Sequence, residues 1–170
     1  MLDRGAGMDR DILLRATDVS KSFGAVRVLH GVSFDVHRGE VLGILGPNGA
    51  GKTTLFNMIS GDIKPSGGDI RLGEQRLSGE PPFRRCQMGI GRTYQIPRPY
   101  SGMSTFENLL VASTFGGGKS EAESYAFCAR VLEDCELADK ANTRAGSLTL
   151  LDRKRLELAR ALATRPRVLL

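Results

Sequence analysis

The sequence has 170 residues, of which 41% are hydrophobic, 25% charged and 6% aromatic, with a formal net charge of +5. This composition suits one globular domain or part of a larger one, and the aromatic residues are too few for a surface that stacks nucleic-acid bases. No apolar run reaches the roughly 18 residues of a membrane helix, and residues 1–11 predict a disordered N-terminal extension without a signal peptide. The cysteines form no Cys-x-x-Cys pair, so neither a zinc site nor a disulfide framework is predicted.

The first part of the chain predicts strands around one helix. Residues 13–19 and 32–36 mix apolar and polar residues as half-buried strands do, whereas the more apolar residues 40–45 predict a strand buried in a parallel sheet. That strand leads into a glycine-rich loop, and residues 53–60 then predict a helix that ends at Gly61.

The middle of the chain predicts shorter elements. Two strands about a turn at Gly73 and Glu74 are predicted within residues 67–77. Residues 83–88 predict a short helix, and residues 90–94 a short strand.

The last part is predicted to be mostly helical. Helices are expected at residues 105–113, 122–137 and 150–163, with a glycine-rich break at residues 116–118. Residues 165–170 then predict another buried strand. Because a strand that stops after three apolar residues is an unusual terminus, we expect the sequence to be a fragment of a longer protein.

The glycine-rich loop at residues 46–53 reads Gly-Pro-Asn-Gly-Ala-Gly-Lys-Thr and matches the phosphate-binding pattern G-x-x-x-x-G-K-[ST]. Glycines let backbone N–H groups approach a phosphate, and the following helix adds its positive dipole end. Lys52 brings a charge to the β and γ phosphates of ATP, and the Thr53 hydroxyl suits Mg²⁺. An ordinary glycine turn with an exposed lysine is the alternative, which the strand-to-helix context disfavours. The predicted ATP-phosphate site comprises Asn48, Gly49, Ala50, Gly51, Lys52, Thr53 and Thr54.

This loop resembles the Walker A loop of ABC transporter ATPases. The resemblance, which covers residues 12–170, places Phe23 against the adenine ring and gives Val28 an apolar contact with the base. Residues 91–96 resemble the family's Q-loop, so Gln95 is expected to reach Mg²⁺ and the attacking water, and it would be catalytic together with Lys52. Core packing for Phe23 and a plain surface position for Gln95 are the alternatives.

The segment that corresponds to the family's signature motif departs from it. The motif is Leu-Ser-Gly-Gly-Gln, whereas residues 148–152 read Leu-Thr-Leu-Leu-Asp, so that Leu150 and Leu151 replace both glycines. Thr149 keeps a hydroxyl and Asp152 an acceptor, and the resemblance implies that this segment contacts the γ-phosphate held by a second subunit. The alternative is an ordinary helix cap, because an acid three residues after Thr149 is also the spacing of a helix N-terminus.

Other catalytic groups of the family are not among the 170 residues. In the family, the strand that begins at residues 168–170 ends in an Asp that serves the metal and a Glu that acts as general base, and a histidine follows. His30 and His37 precede the phosphate loop and match no catalytic histidine. We therefore expect residues 1–170 alone to bind nucleotide weakly and to hydrolyse it poorly.

Residues 48–57 and 91–112 resemble the ATPases of branched-chain amino-acid importers. This resemblance implies a transport-coupled ATPase at the cytoplasmic face of the plasma (inner) membrane, held there peripherally. The implied partners are transmembrane permease subunits, a second ATP-binding subunit, identical or different, and indirectly an external solute-binding protein, but no nucleic acid. Tyr100, Met103 and Phe106 are candidates for the permease contact or for the core. Other amino acids, urea and short amides stay open as transported solutes.

Two other classes of function remain open at this point. One is a soluble ABC ATPase acting on ribosomes or in DNA repair, which would normally carry two ATPase domains or a long coiled-coil insertion. The other is a regulatory nucleotide-binding module without transport, which the altered signature segment favours.

The predicted fold is the α/β P-loop NTPase fold of ABC ATPases. We expect a parallel core sheet around the phosphate-loop helix, an N-terminal antiparallel β portion and an inserted helical subdomain at residues 97–146, with residues 12–170 forming an incomplete ABC ATP-binding domain. Contacts between the γ-phosphate and Gln95 would then move the helical subdomain, and with it the permease.

Overall fold

The computed structural model describes residues 12–170, so the extension predicted at residues 1–11 lies outside the described part. The chain divides into two compact units, Met1–Arg85 and Cys86–Leu170. Among the described residues, no helix has both the length and the apolar character needed to cross a membrane.

The first unit contains a four-stranded antiparallel sheet with the strand order β2-β1-β3-β4. Its strands are β1 (Ile12–Phe23), β2 (Val26–His37), β3 (Gly67–Leu72) and β4 (Gln75–Arg76). The predicted N-terminal strands and the predicted pair within residues 67–77 are confirmed. The buried side chains of the sheet are apolar and include Leu14, Ala16, Val19, Ile70 and Leu72.

The helix after the glycine-rich loop is α1 (Lys52–Ser60). Its side chains Leu55, Met58 and Ile59 are buried, so one face of the helix is shielded from solvent. Gly61 follows with φ of 93°, a left-handed conformation that glycine adopts without steric cost and that ends the helix as predicted.

The strand predicted at residues 40–45 is wrong. These residues form no regular element, and Val41 and Leu45 are 97% and 96% exposed. An apolar run becomes a strand only when a neighbouring strand supplies hydrogen-bond partners. Within the described residues of the first unit, the four strands pair with one another and none pairs with this segment. The side chain of Glu40 instead accepts a hydrogen bond from His37 N at 2.7 Å, which closes a turn after β2.

The predicted helix at residues 83–88 is α2 (Pro82–Met88), and it carries a buried arginine. Arg85 is 1% exposed. Its guanidinium donates to Met58 O at 2.5 Å, to Ile59 O at 3.0 Å and to Glu80 O at 2.8 Å. Burial lowers the pKa of Arg85. The side chain therefore binds the carbonyl end of α1, where a positive charge also interacts favourably with the helix dipole.

The second unit joins a parallel strand pair to a group of helices. The strands β5 (Ile90–Gly91) and β6 (Val168–Leu169) are shorter than predicted, although Thr93 N extends their pairing by donating to Leu170 O at 2.9 Å. The helices are α3 (Thr105–Val111), α4 (Glu121–Asp134) and α5 (Leu150–Ala163). They enclose a hydrophobic cluster that includes Leu109, Cys128, Leu132, Leu137, Leu148 and Leu156.

The bounds of these helices follow local signals. The helix α5 has the predicted bounds, whereas α3 continues beyond its predicted end as one π turn, Ala112–Gly116. The helix α4 ends before residue 137 because Glu136 takes a positive φ of 55°. The bounds of the helical subdomain, residues 97–146, stay a prediction.

Candidate nucleotide-phosphate site

The predicted phosphate loop is exposed and shaped by glycines. Gly49 and Gly51 have φ of 83° and 84°, in the left-handed region. Ala50 N donates to Pro47 O at 3.2 Å, which closes the turn between them. A Cβ at Gly46 would lie 3.2 Å from the Ala50 side chain, so residues 46 and 50 approach each other closely. The glycines therefore sit where a side chain would either strain the backbone or crowd the loop.

β2 approaches the loop closely at Gly51. A Cβ there would lie 2.8 Å from Leu29 Cδ2 and 3.2 Å from Val28 Cγ1. Consecutive strand residues normally point to opposite faces. Here the pairing passes from Lys21↔Leu29 to Ser22↔Arg27, so Val28 is an extra residue in β2. This β-bulge explains how two successive side chains both reach Gly51.

The N-terminus of α1 is free of the groups that usually cover such an end. Gly51 is the N-cap residue and supplies no side-chain hydrogen bond, and the first turn has no acidic residue. The first N–H groups of a helix have no partner within the helix, and the dipole there favours an anion. Loop and helix together therefore offer a set of backbone donors suited to phosphate.

Lys52 lies over the loop. Its Nζ donates to Gly46 O at 2.6 Å and to Pro47 O at 2.7 Å. The ammonium is thus fixed beside the backbone donors, within the part of the loop where the motif places the β and γ phosphates.

Thr53 presents an exposed side chain in the first turn of α1, next to Lys52. Among the described residues, no group of three or more His, Cys, Asp or Glu side chains could hold a metal ion. One hydroxyl beside a phosphate cradle fits Mg²⁺, because this ion commonly takes a few protein oxygens together with phosphate oxygens and water.

The predicted base-contacting residues lie at the end of the β1–β2 hairpin. Phe23 pairs with Val26 across the turn, and its side chain is 48% exposed. The exposure argues against core packing for Phe23. Val28 is half-buried and reaches Gly51, so the first unit brings Val28 and the phosphate loop together.

Gln95 lies in the second unit, in an exposed bend after β5. The segment that follows Gln95 is held by side chains of α5 and α3. Arg160 donates to Arg98 O at 2.8 Å and lies 5.0 Å from the centre of the Tyr100 ring. Asn108 is buried and binds the backbone N–H and C=O of Tyr100. The end of this segment is therefore fixed, whereas Gln95 itself is exposed.

Thr149 and Asp152 form the N-terminal cap of α5. Asp152 N donates to Thr149 Oγ1 at 3.2 Å, and the hydroxyl donates to Asp152 Oδ2 at 2.7 Å. Asp152 is 4% exposed and also pairs with Lys140 at 3.0 Å and Arg155 at 3.5 Å. The Thr149 hydroxyl and then the Lys140 ammonium hold the pKa of Asp152 below its usual range.

The side chains around this cap differ in exposure. Leu150 and Leu151 are 67% and 60% exposed.

Of the predicted permease contacts, Tyr100 and Met103 are exposed, whereas Phe106 packs against the hydrophobic cluster and contacts the Tyr125 ring, with 5.2 Å between centroids. The roles of these residues toward a partner stay predictions.

Four contact residues were missed by the sequence reasoning: Lys21, Leu29, Arg85 and Arg160. A signal existed for Lys21, because it precedes Phe23 by two residues on one strand and so falls on the same side in a regular strand. The contacts of the other three depend on segments distant in the sequence, and no local pattern reports them.

Comparisons with known proteins agree with one another. Residues 29–170 match the ABC transporter family. The chain is 37% identical to the high-affinity branched-chain amino acid transport ATP-binding protein BraF of Pseudomonas aeruginosa, over 93% of this chain and 68% of that protein. It is 36% identical to the corresponding LivG protein of Escherichia coli K12, with the same coverage.

Similarity to solved structures leads to the same family. An ATP-binding cassette of an ABC transporter, solved in its ADP conformation, matches with a TM-score of 0.80 and 31% identity, over 93% of this chain and 67% of that one. A nucleotide-free ATP-binding cassette matches with a TM-score of 0.79. The chain thus spans about two thirds of the length of these relatives.

Proposed function

Because this chain belongs to the ABC transporter ATP-binding family, we propose that it is the ATP-binding subunit of an importer, coupling ATP binding and hydrolysis to solute uptake. The observation that carries the proposal is the loop before α1. It joins left-handed glycines, a helix N-terminus without a side-chain cap and a lysine that folds back onto the loop. Relatives with this family's fold are named as ATP-binding transport proteins.

In this proposal the first unit binds the nucleotide. The N–H groups of residues 48–54 donate to the phosphates, and Lys52 exchanges its loop carbonyls for β- and γ-phosphate oxygens. Thr53 contributes one oxygen to Mg²⁺, which neutralises phosphate charge when bound. Phe23 stacks on the adenine and Val28 contacts it.

The second unit supplies the remaining roles. Gln95 orients the attacking water and contacts the metal shell, and its exposed position leaves it accessible for that role. Thr149 and Asp152 face the nucleotide of a second ATP-binding subunit. Since their side chains bind one another, the backbone N–H groups at the start of α5 are the better donors to that phosphate.

The proposed solute class is branched-chain amino acids or related small solutes. The support is the naming of the relatives, among them the branched-chain amino acid transport protein LivG of Methanocaldococcus jannaschii, which is 32% identical. The proposed partners are transmembrane permease subunits, a second ATP-binding subunit and, indirectly, an external solute-binding protein. The chain would lie peripherally at the cytoplasmic face of the membrane.

The test uses the complete transporter in vesicles, with ATP inside the compartment that faces this subunit. ATP hydrolysis and uptake of radiolabelled leucine, isoleucine or valine are measured for the wild type and for Lys52→Ala. We expect solute-stimulated hydrolysis and uptake in the wild type, and loss of both in the variant. ATP binding without hydrolysis or uptake would contradict the importer and favour a regulatory nucleotide-binding module.

A further inference from the structure

Lys21 and Phe23 form a contact at the base-binding end of the hairpin. The Lys21 Nζ lies 4.9 Å from the centre of the Phe23 ring, within the range of a cation–π interaction. The same Nζ donates a hydrogen bond to Lys64 O at 2.7 Å. A lysine side chain has four rotatable bonds, and two simultaneous partners fix where its charge lies.

The segment that carries the Lys64 carbonyl is hydrogen-bonded to β1 two residues further on. Ser66 N donates to Ser20 O at 2.8 Å, and Ser22 N donates to Ser66 Oγ at 3.1 Å. The segment around Lys64 therefore runs alongside the strand that carries Lys21 and Phe23. The ammonium bridges a backbone carbonyl and an aromatic ring that belong to one hydrogen-bonded group.

We propose that Lys21 is a positioning residue for the nucleotide base, holding one face of the Phe23 ring so that the other face can stack on a purine. The proposal rests on the proposed function, because it takes Phe23 as the base platform. Phe23 is 48% exposed, and the Lys21 ammonium lies over its ring, so Lys21 restricts the orientation of the ring. An aromatic ring prefers stacked geometry, and a pre-oriented ring loses less freedom when the base binds.

The experiment compares two ligands on the full chain by isothermal titration calorimetry. ATP reports on the base and phosphates together, and inorganic tripolyphosphate reports on the phosphate loop alone. Lys21→Met removes the charge and keeps the length of the side chain. We expect it to weaken ATP binding about two- to fivefold, the size of an exposed cation–π contact, and to leave tripolyphosphate binding unchanged.

Two matched variants separate the charge from the surroundings. Lys21→Arg keeps a cation that can lie over the ring and donate to Lys64 O, so it should restore most of the ATP affinity. Lys64→Ala removes an exposed lysine from the same segment but leaves the carbonyl that Lys21 uses, so it should bind both ligands as the wild type does.

Other results would overturn the proposal. Equal weakening of ATP and tripolyphosphate in Lys21→Met would mean that the lysine only supports the fold. Unchanged or tighter ATP binding would mean that Lys21 has no role toward the base or lies on the face that the base needs. A wild-type chain that binds neither ligand would overturn the proposed function as well, whereas the first two results would leave that function intact.

Discussion

The helices α1 and α5 were both predicted to present an N-terminus to a phosphate, but their N-termini are built differently. In α1, Gly51 supplies no side-chain cap and no acid lies in the first turn. In α5, Thr149 caps the helix and Asp152 places a carboxylate in the first turn. One helix has neither a side-chain cap nor an acidic residue at its positive end, and the other supplies an anion of its own there.

The two helices are therefore stabilised at opposite ends. At the N-terminus of α5, Thr149 accepts a hydrogen bond from Asp152 N, and Lys140 and Arg155 lie around the Asp152 carboxylate. The helix α1 is held at its C-terminus, where Arg85 binds the carbonyls of Met58 and Ile59. Arg85 thus stabilises the end of α1 opposite to the one without a side-chain cap.

The largest effect on ATP binding is expected from Gly51→Ala. The left-handed φ of 84° costs a non-glycine residue about 1–2 kcal/mol. The new Cβ would lie 2.8 Å from Leu29, and such overpacking costs about 1–3 kcal/mol more. We expect lower stability in urea unfolding and loss of measurable ATP binding, because the loop must move.

Gly79→Ala is the matched control for this variant. Gly79 has φ of 99°, but a Cβ there meets no atom within 4 Å. Gly79→Ala should lose only the unfolding free energy that the left-handed φ costs, and it should keep ATP binding. Equal effects of the two substitutions would show that the close approach of Leu29 and Val28 does not shape the loop.

Arg85→Met should also be strongly destabilising. It leaves three carbonyl groups without their donor, and each buried acceptor without a partner costs about 1–3 kcal/mol. Thermal and urea unfolding would measure the loss. The neighbouring exposed arginine gives the control, since Arg84→Met should change the unfolding free energy by less than about 1 kcal/mol. Similar values for both variants would argue against a C-terminal anchor of α1.

Thr149→Ala should cost about 1 kcal/mol of unfolding free energy, the usual loss when an N-cap is removed. Thr149→Ser keeps the hydroxyl and should stay close to the wild type. If the alanine variant unfolds at the same urea concentration as the wild type, the cap does not stabilise α5 and the contrast with α1 is lost.

The smallest effect is a pH dependence from Asp152. The pKa of its carboxyl is lowered in the folded protein, first by the Thr149 hydroxyl and then by Lys140. Its contribution to stability is therefore complete above the unfolded-state pKa of about 4 and is lost as the pH falls through the lower folded-state pKa. Asp152→Asn should be less stable than the wild type at pH 7, with the difference vanishing in acid. A difference that is constant from pH 7 to pH 3 would rule out the charge as its cause.

Local signals account for most of what the sequence predicted correctly. The bounds of α5 follow from its cap at Thr149, and the end of α1 follows from Gly61. Residues 40–45 carry the composition of a buried strand, but pairing is a property of two segments, and the described residues offer none to pair with it. The bulge at Val28 is likewise a property of register that composition does not encode.

The residues of the candidate site divide in the same way, into those that a local sequence pattern predicts and those whose contacts lie far along the chain. The loop glycines, Lys52 and Thr53 were predicted from one contiguous pattern, because phosphate binding uses neighbouring backbone groups. Lys21 and Arg85 bind the carbonyls of Lys64 and Met58, residues distant from them in the sequence. Their contacts become visible only when the sheet and helices are in place.

The most direct measurement of the central claim is calorimetric titration of the full chain with Mg-ATP, comparing Lys52→Ala with Lys64→Ala. Lys52 is fixed at the loop, whereas Lys64 is an exposed lysine of the same unit. Loss of a charged hydrogen-bond partner worth about 1.5–3 kcal/mol predicts binding about 10- to 150-fold weaker for Lys52→Ala. Lys64→Ala should bind as the wild type does. Equal ATP affinity in the wild type and Lys52→Ala would contradict the assignment of residues 46–53 as the phosphate site.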